Sequence, residues 1–168
     1  ENPEAIPSVD GAVVYPDDDG AANWYSPTYS PQTQLLYQNV REKGGIYYLA
    51  DATYEPGKIY MGASRRVVSG EDPKGFLRAL DALTGDLVWE LEVHAPPWAG
   101  LMSTAGGLVF SGTMEGDFFA ADARTGAVLW RFQTGGAVYA NPITYLGGDG
   151  KQYVAVVASD TVVAFVLP

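Results

Sequence analysis

Short blocks of apolar residues recur along the chain, and within several of them apolar and polar residues alternate. Alternation with a period of two predicts a strand, because successive side chains of a strand point to opposite faces of a sheet. The apolar positions do not follow the three-to-four spacing that a helix requires. Glycine and proline clusters between the blocks predict turns. The pattern therefore predicts an all-β fold.

A sequence repeat occurs between residues 76 and 130. Residues 76–89 read FLRALDALTGDLVW and residues 117–130 read DFFAADARTGAVLW. Four positions recur at an offset of 41 residues: Asp81, Thr84, Gly85 and Trp89 return as Asp122, Thr125, Gly126 and Trp130. A period near 40 built from short strands is typical of a β-propeller blade.

The repeated Asp-x-x-Thr-Gly unit has a physical explanation as a turn. The aspartate carboxylate can accept hydrogen bonds from backbone N–H groups two or three residues further on, and glycine adopts a positive φ without steric cost. The strand after the turn carries Trp89 or Trp130. We expect these two indoles to pack between neighbouring blades rather than to bind a ligand.

Reading outward from the repeat predicts a partial β-propeller of about three four-stranded antiparallel blades. The first blade takes strands 23–30, 34–40, 76–81 and 86–93. The second takes strands 100–104, 108–112, 118–122 and 127–133. The third takes strands 140–145, 152–158 and 161–166, and it is incomplete because no fourth strand precedes Pro168.

The remaining segments are predicted as additions to a single domain covering residues 1–168. Residues 1–20 are expected to form an extended arm with at most one short strand at 12–15. Residues 41–74 are rich in loop signals and are expected to form an insertion with a small hairpin of strands 47–50 and 59–62. Three blades cannot close a propeller, so we expect the open faces to bury against further blades or against a second copy.

Composition excludes several classes of function. A net charge of −10 makes nucleic acid an improbable partner. The absence of cysteine excludes disulfides, thiolate zinc sites and covalently attached c-type haem in this chain. No apolar run is long enough for a transmembrane segment. The sequence starts without methionine and shows no signal peptide, so we expect a processed or excised piece.

Several motifs resemble one family in its own order. Residues 98–135, which begin WAGLMSTAGGLVFSGTMEGD, are similar to the late-blade signature of the pyrroloquinoline quinone (PQQ)-dependent alcohol dehydrogenases. The segments ANWYSPTYSPQT at 22–33, NPITY at 141–145 and GKQYVAV at 150–156 also resemble that family, as does the ending VVAFVLP at 162–168.

This resemblance implies the C-terminal part of an eight-bladed propeller from a periplasmic enzyme that oxidises an alcohol or sugar. The complete enzyme would hold PQQ beside calcium or a lanthanide, and would pass electrons to a cytochrome or quinone. Trp98 matches a family tryptophan at the cofactor edge, and Asn23 and Trp24 match an Asn-Trp pair that faces the cofactor. The metal ligands and the catalytic base of the family lie in earlier blades, so no catalytic or metal-binding residue is assigned here.

The resemblance therefore predicts a fragment that forms part of the PQQ cavity wall and is inactive alone, with cofactor binding by the isolated chain left open. The alternative is a non-catalytic propeller-repeat module that self-associates through open blade faces. Ordinary explanations also remain open for the site residues, namely a core tryptophan at Trp98 and a turn residue at Asn23. His94 is expected to be a solvated loop residue, and Asp17, Asp18 and Asp19 a solvated acidic loop rather than a calcium site.

Overall fold

Strands account for almost all the regular structure in the described part of the chain, residues 2–50 and 53–166 of this computed structural model. The one short helix in those ranges is a 3₁₀ turn at Pro3–Ala5, capped by the side chain of Asn2. No helix in them is long and apolar enough to cross a membrane. In chain order the strands are β1 (Ala12–Val14), β2 (Thr28–Ser30), β3 (Leu35–Glu42), β4 (Gly45–Leu49), β5 (Ala63–Val67), β6 (Lys74–Asp81), β7 (Leu87–Val93), β8 (Met102–Ser103), β9 (Leu108–Gly112), β10 (Asp117–Asp122), β11 (Val128–Gln133), β12 (Ile143–Leu146), β13 (Gln152–Ala158) and β14 (Thr161–Val166).

The chain divides into two compact units, Glu1–Ala21 with Glu42–Pro73, and Ala22–Arg41 with Lys74–Pro168. The second unit contains three antiparallel sheets, which are the predicted blades. The first blade has the order β2-β3-β6-β7, the second β8-β9-β10-β11, and the third β12-β13-β14. The predicted fold class, a partial propeller whose last blade has three strands, is confirmed.

The innermost strands of the first two blades are shorter than predicted. Strand β2 starts at Thr28 rather than at residue 23, and β8 starts at Met102 rather than at residue 100. Proline explains the difference for β2, because Pro27 has no N–H group to donate to a sheet. The two irregular segments bond to each other instead, since the Leu101 amide donates to the Ser26 carbonyl at 3.0 Å.

The repeat is visible at atomic detail in the two turns. Oδ1 of Asp81 accepts hydrogen bonds from the amides of Leu83 and Thr84 at 2.8 and 3.0 Å. Oδ1 of Asp122 accepts the equivalent pair of bonds, both at 2.9 Å. Each hairpin even has a register shift at the same place, between Ala79 and Leu80 and 41 residues later between Ala120 and Ala121. The turn mechanism inferred from the sequence is confirmed.

Strand β10 carries the core of the second unit because both of its faces are buried. Phe119 and Ala121 belong to a cluster shared with the first blade, and Phe118 and Ala120 to a cluster shared with the third. Side chains at alternate positions of β10 therefore pack against the first blade on one face and against the third blade on the other. All four are at most 3% exposed. This accounts for the unbroken apolar run Phe118–Ala121, which a one-sided sheet would interrupt with polar residues.

Both repeated tryptophans pack between blades, as predicted. The Trp89 ring lies 5.7 Å from Tyr37 of its own blade, and its Nε1 donates to the Ala123 carbonyl of the second blade. The Trp130 ring lies 6.0 Å from Phe118 of its own blade and 4.8 Å from Phe165 of the third.

The other unit is built around the sheet β1-β4-β5. The short strand predicted at 12–15 within the extended arm is observed as β1 (Ala12–Val14), and it pairs with β4, so the arm contributes a strand to this sheet. The hairpin prediction was right for its first strand and wrong for its second, which is Ala63–Val67 rather than 59–62. Tyr60 and Met61 gave an apolar signal, but Met61 is 75% exposed and the region lies outside any strand.

The prediction of a solvated acidic loop at residues 17–19 was wrong for Asp17, whose side chain is 1% exposed. Nζ of Lys43 lies 3.1 Å from carboxylate oxygens of both Asp17 and Asp19, and Arg65 pairs with Asp17 at 3.4 Å. Arg65 also contacts Asp18. Burial would lower the pKa of Lys43, but hydrogen bonds to Asp17 and Asp19 raise it above its ordinary value. The three consecutive aspartates are therefore neutralised by Arg65 of β5 and by Lys43, which lies near the start of the 41–74 insertion.

Candidate functional site

Two indoles from distant parts of the sequence form a parallel stack. The rings of Trp24 and Trp98 are 6.1 Å apart with an interplanar angle of 20°. Tyr25 closes the group edge-on, 6.1 Å from each indole, and is itself 1% exposed. Trp24 is 62% exposed while Trp98 is half-buried. The group therefore has an anchored inner part and an outer indole available to a flat ligand.

A buried cation lies against this stack. Cζ of Arg41 is 3.6 Å from the centroid of the Trp98 ring. Arg41 is 6% exposed, and its guanidinium is charged at any ordinary pH. A cation over an indole is attracted by the negative face of the ring, and the attraction is strongest where water is excluded.

Strand β3 supplies both Arg41 and a second buried polar side chain, Asn39. Nδ2 of Asn39 donates to the Ala99 carbonyl and to Oγ of Ser111, both at 2.8 Å. The first bond fixes the backbone immediately after Trp98, and the second reaches β9 of the next blade. Positions 39 and 41 lie on the same face of β3 because side chains alternate along a strand.

Asn23 is exposed, and its Oδ1 accepts a hydrogen bond from the Trp24 amide at 2.8 Å. This is the local turn contact that the ordinary explanation of Asn23 requires. The same contact fixes the side chain beside the exposed indole. Asn23 and Trp24 are thus adjacent in the chain, and the stack brings Trp98 to Trp24. His94, by contrast, is exposed after the end of β7, as predicted.

Sequence reasoning missed Arg41, Asn39 and Tyr25. The sequence did not single out the first two, because strand β3 also carries Gln38 and Glu42, so polar residues fall on both of its faces. The structure buries Asn39 and Arg41 on the face that carries Tyr37, where a polar group needs a specific partner. Tyr25 carried no signal beyond its place next to Trp24.

The residues present suit a planar aromatic ligand better than a metal. Flat indole faces and an adjacent cation match a planar, negatively charged ring. Within residues 2–50 and 53–166, no group of three or more histidine, aspartate or glutamate side chains is placed to hold a metal ion. The indole faces and the adjacent guanidinium therefore form a surface whose chemistry is suited to a planar ring.

A separate cavity of about 580 Å³ lies between the second and third blades. Trp130, Phe110 and Phe165 line it together with aliphatic side chains, and none of Asn23, Trp24 or Trp98 takes part. Phe165 and Val166 of β14 line it, and β14 has no strand partner other than β13 among the described residues. The cavity is therefore separate from the indole stack.

Comparisons with known proteins agree with this architecture. The family model described as outer membrane protein assembly factor BamB (PQQ_2) matches residues 73–166. The lanthanide-dependent methanol dehydrogenase of Methylacidiphilum fumariolicum is 43% identical over 152 residues, 88% of this chain and 25% of that protein. The quinoprotein ethanol dehydrogenase of Pseudomonas aeruginosa is 41% identical over 138 residues, 82% of this chain and 22% of that protein.

Solved structures give the same result. A europium-containing methanol dehydrogenase superposes with a TM-score of 0.85 at 40% identity, covering 93% of this chain and 28% of that one. The quinohemoprotein alcohol dehydrogenase of Comamonas testosteroni superposes with a TM-score of 0.73 at 32% identity, covering 83% and 22%. The chain thus spans about a quarter of the length of these relatives. It belongs to the PQQ_2 family of repeat proteins, and its sequence and fold place it with the quinoprotein alcohol dehydrogenases.

Proposed function

We propose that this chain is the C-terminal part of a periplasmic PQQ-dependent dehydrogenase that oxidises an alcohol or sugar, in which it forms part of the cofactor cavity wall. The observation that carries the proposal is the parallel stack of Trp24 and Trp98 with Arg41 against it. Relatives at about 40% identity are named as alcohol dehydrogenases of this type. The chain spans only a quarter of those relatives, which supports inactivity on its own.

In the complete enzyme the quinone would accept the two electrons that the alcohol loses, while two protons leave the substrate. The residues of this chain would bind and orient the ring. Trp24 and Trp98 offer flat faces and exclude water from them. The Asn23 amide would donate to a quinone oxygen, which favours the reduced and more negative form of the ring.

We assign no base and no metal ligand to this chain, because the family resemblance places those residues in earlier blades. Calcium or a lanthanide would be held by the earlier blades. The names of two relatives specify cytochrome c and quinone as electron acceptors. We propose an acceptor of one of these kinds for the parent enzyme.

The open third blade requires a partner in this proposal. Strand β14 has no neighbour on its outer side among the described residues, and Val162 on it is 70% exposed. An unpaired strand edge beside an apolar cavity favours addition of another strand. In the parent enzyme the remaining blades would supply it. The same edge is the one observation that favours the alternative function, self-association of a non-catalytic repeat module.

A chimera tests the proposal directly. The matching quarter of the M. fumariolicum methanol dehydrogenase would be replaced by this chain, so that the relative supplies the missing blades. We expect the chimera to bind PQQ and to reduce a dye in the presence of an alcohol. Replacing both Trp24 and Trp98 by alanine should lower PQQ affinity at least tenfold, whereas Trp89→Phe, placed at a blade contact, should leave affinity unchanged. If a folded chimera binds PQQ with the same affinity after both indoles are replaced, the assignment is refuted.

The isolated chain provides the second measurement. PQQ and calcium are added while tryptophan fluorescence is followed, and dye reduction by an alcohol is assayed in parallel. We expect weak quenching at most and no dye reduction, because three-quarters of the propeller is absent. Sedimentation decides between the two functions. Stable oligomers of the isolated chain together with an inactive, PQQ-free chimera would favour the self-associating module.

A further inference from the structure

We propose that Arg41 is a positioning residue for the indole stack: its guanidinium holds the Trp98 ring parallel to Trp24, so that the pair presents one flat surface. Only the identity of the ligand that uses this surface rests on the proposed function. The positioning itself is a property of the chain and can be measured without any quinone.

The geometry supports a directed contact. The guanidinium carbon is 3.6 Å from the ring centroid, which is the separation of two flat groups in contact. Arg41 is 6% exposed, so water competes little for its charge. A second arginine of the same unit differs in both respects. Arg78 lies 4.8 Å from the Phe76 ring, and its side chain is 24% exposed.

The backbone around Trp98 is fixed independently of Arg41. The Asn39 amide holds the Ala99 carbonyl, and Leu101 donates to Ser26. These bonds restrain the main chain but leave the side-chain torsions of Trp98 free to choose among rotamers. The flat guanidinium is the group that selects one ring plane, and Tyr25 restrains only the ring edge, at an interplanar angle of 86°.

The chemistry of arginine fits this role better than that of lysine. The guanidinium is planar and stacks flat on an aromatic face, whereas an ammonium is a strongly hydrated point charge without a preferred plane. Arg41→Lys should therefore keep the charge and lose most of the orientation. Arg41→Met keeps a stem of similar length and loses both.

The experiment observes the indole N–H groups of the four tryptophans by two-dimensional ¹H–¹⁵N NMR on the isolated chain, assigned with Trp24→Phe and Trp98→Phe. Arg41→Met should shift the Trp24 and Trp98 signals and lower the heteronuclear NOE of Trp98 to that of a mobile side chain. The Trp89 and Trp130 signals should not move. Arg78→Met is the control and should leave the Trp24 and Trp98 signals unchanged.

A purely structural role would disturb all four indoles together, and that outcome overturns the proposal. So does an Arg41→Met protein in which Trp98 remains as ordered as in the parent chain. If Arg41→Met fails to fold, Arg41→Lys decides, because a Trp98 signal of unchanged position and order in that variant also overturns it. PQQ is absent throughout, so failure here is distinct from failure of the cofactor titration.

Discussion

The backbone carbonyl of Ala123 accepts two hydrogen bonds from the neighbouring blade, one from Nε1 of Trp89 at 3.1 Å and one from the Tyr37 hydroxyl at 2.9 Å. Ala123 is the residue after the repeated aspartate of the second blade, and it is 1% exposed. The turn of the second blade is thus hydrogen-bonded to two side chains of the first blade, Trp89 on its outer strand and Tyr37 in its core. This contact joins the repeated tryptophan of the first blade to the repeated turn of the second.

Replacing Trp89 by phenylalanine should lower the free energy of unfolding by about 1–2 kcal/mol. The loss combines one hydrogen bond to a buried carbonyl, worth about 1 kcal/mol, with a smaller apolar contact area. The Tyr37 bond keeps the carbonyl satisfied, so the full penalty of a buried unpaired group does not apply. Urea unfolding followed by circular dichroism measures the difference.

Trp130→Phe is the matched control for that experiment. The structure records no hydrogen bond from the Trp130 indole to any described residue, and the side chain is 37% exposed. By the 41-residue offset, the position equivalent to Ala123 is Ala164, which lies within β14. We expect a loss of less than about 1 kcal/mol for Trp130→Phe, from contact area alone. Equal losses for the two variants would show that the Ala123 hydrogen bond contributes nothing.

The repeated glycines of the two turns should differ in their tolerance of alanine. Gly85 and Gly126 have φ values of +79° and +75°, so alanine is strained at both by about 1 kcal/mol. At Gly85 an added methyl meets nothing within 4 Å, whereas at Gly126 it would lie 2.6 Å from Cε3 of Trp89. Gly126→Ala should therefore destabilise more than Gly85→Ala, by about 1 kcal/mol or more, as the blade contact opens. Thermal unfolding of the two variants side by side tests the ranking. The interpretation fails if Gly85→Ala proves as damaging.

The sequence predicted the blades because their physics is local and repeated. One turn with a defined hydrogen-bond pattern recurs after 41 residues, and its mechanism was predicted correctly from the sequence. The β1-β4-β5 sheet could not be read in the same way. Its strands occur once, β5 contains Arg65 and Arg66 and is mostly exposed, and the apolar run around Ile59 is solvent-facing.

At the candidate site, the family resemblance predicted Trp24 and Trp98, and the structure shows that their rings stack on each other. Arg41 was not predicted because a charged residue at a strand end is normally taken as exposed. Its burial depends on a partner ring contributed by a segment far along the chain. No local pattern encodes that contact, so only the fold could reveal it.

The turn aspartates should make stability depend on acid pH. Hydrogen bonds from backbone amides hold the pKa of Asp81 below its ordinary value, and the Arg124 amide and Thr125 hydroxyl do the same for Asp122. A pKa that is lower in the folded state adds stability above the unfolded value, and this stability is lost as pH falls through the folded value. We expect unfolding stability to decline below about pH 4, the ordinary aspartate range.

Asp81→Asn with Asp122→Asn isolates this contribution. An amide oxygen can accept the same backbone bonds but does not titrate in this range. The double variant should be less stable than the parent chain at neutral pH and should show a flatter decline below pH 4. Urea midpoints measured between neutral and strongly acid pH give the comparison. Parallel curves for the two proteins would mean that other carboxylates govern the acid response.

The final prediction concerns the ion cluster of the smaller unit, where Lys43 bridges Asp17 and Asp19. Lys43→Met removes one cation from a carboxylate whose side chain is 1% exposed, leaving Arg65 as the remaining partner. A buried charge that loses part of its compensation is costly, and we expect a local loss of about 1–3 kcal/mol. Lys58→Met is the matched control, because the pair formed by Lys58 and Glu55 is exposed on both sides.

Amide hydrogen exchange in β1 and β4 is the proper measurement, since it reports local opening of this sheet rather than unfolding of the blades. Protection of these amides should fall at least about fivefold in Lys43→Met, which corresponds to about 1 kcal/mol. It should stay unchanged in Lys58→Met, because a solvated pair gains little from its mutual attraction. High salt should not reproduce the Lys43→Met effect, since a buried pair is screened far less than an exposed one. If salt alone does open the sheet, the cluster acts as an ordinary surface network and the buried state of Asp17 does not contribute to stability.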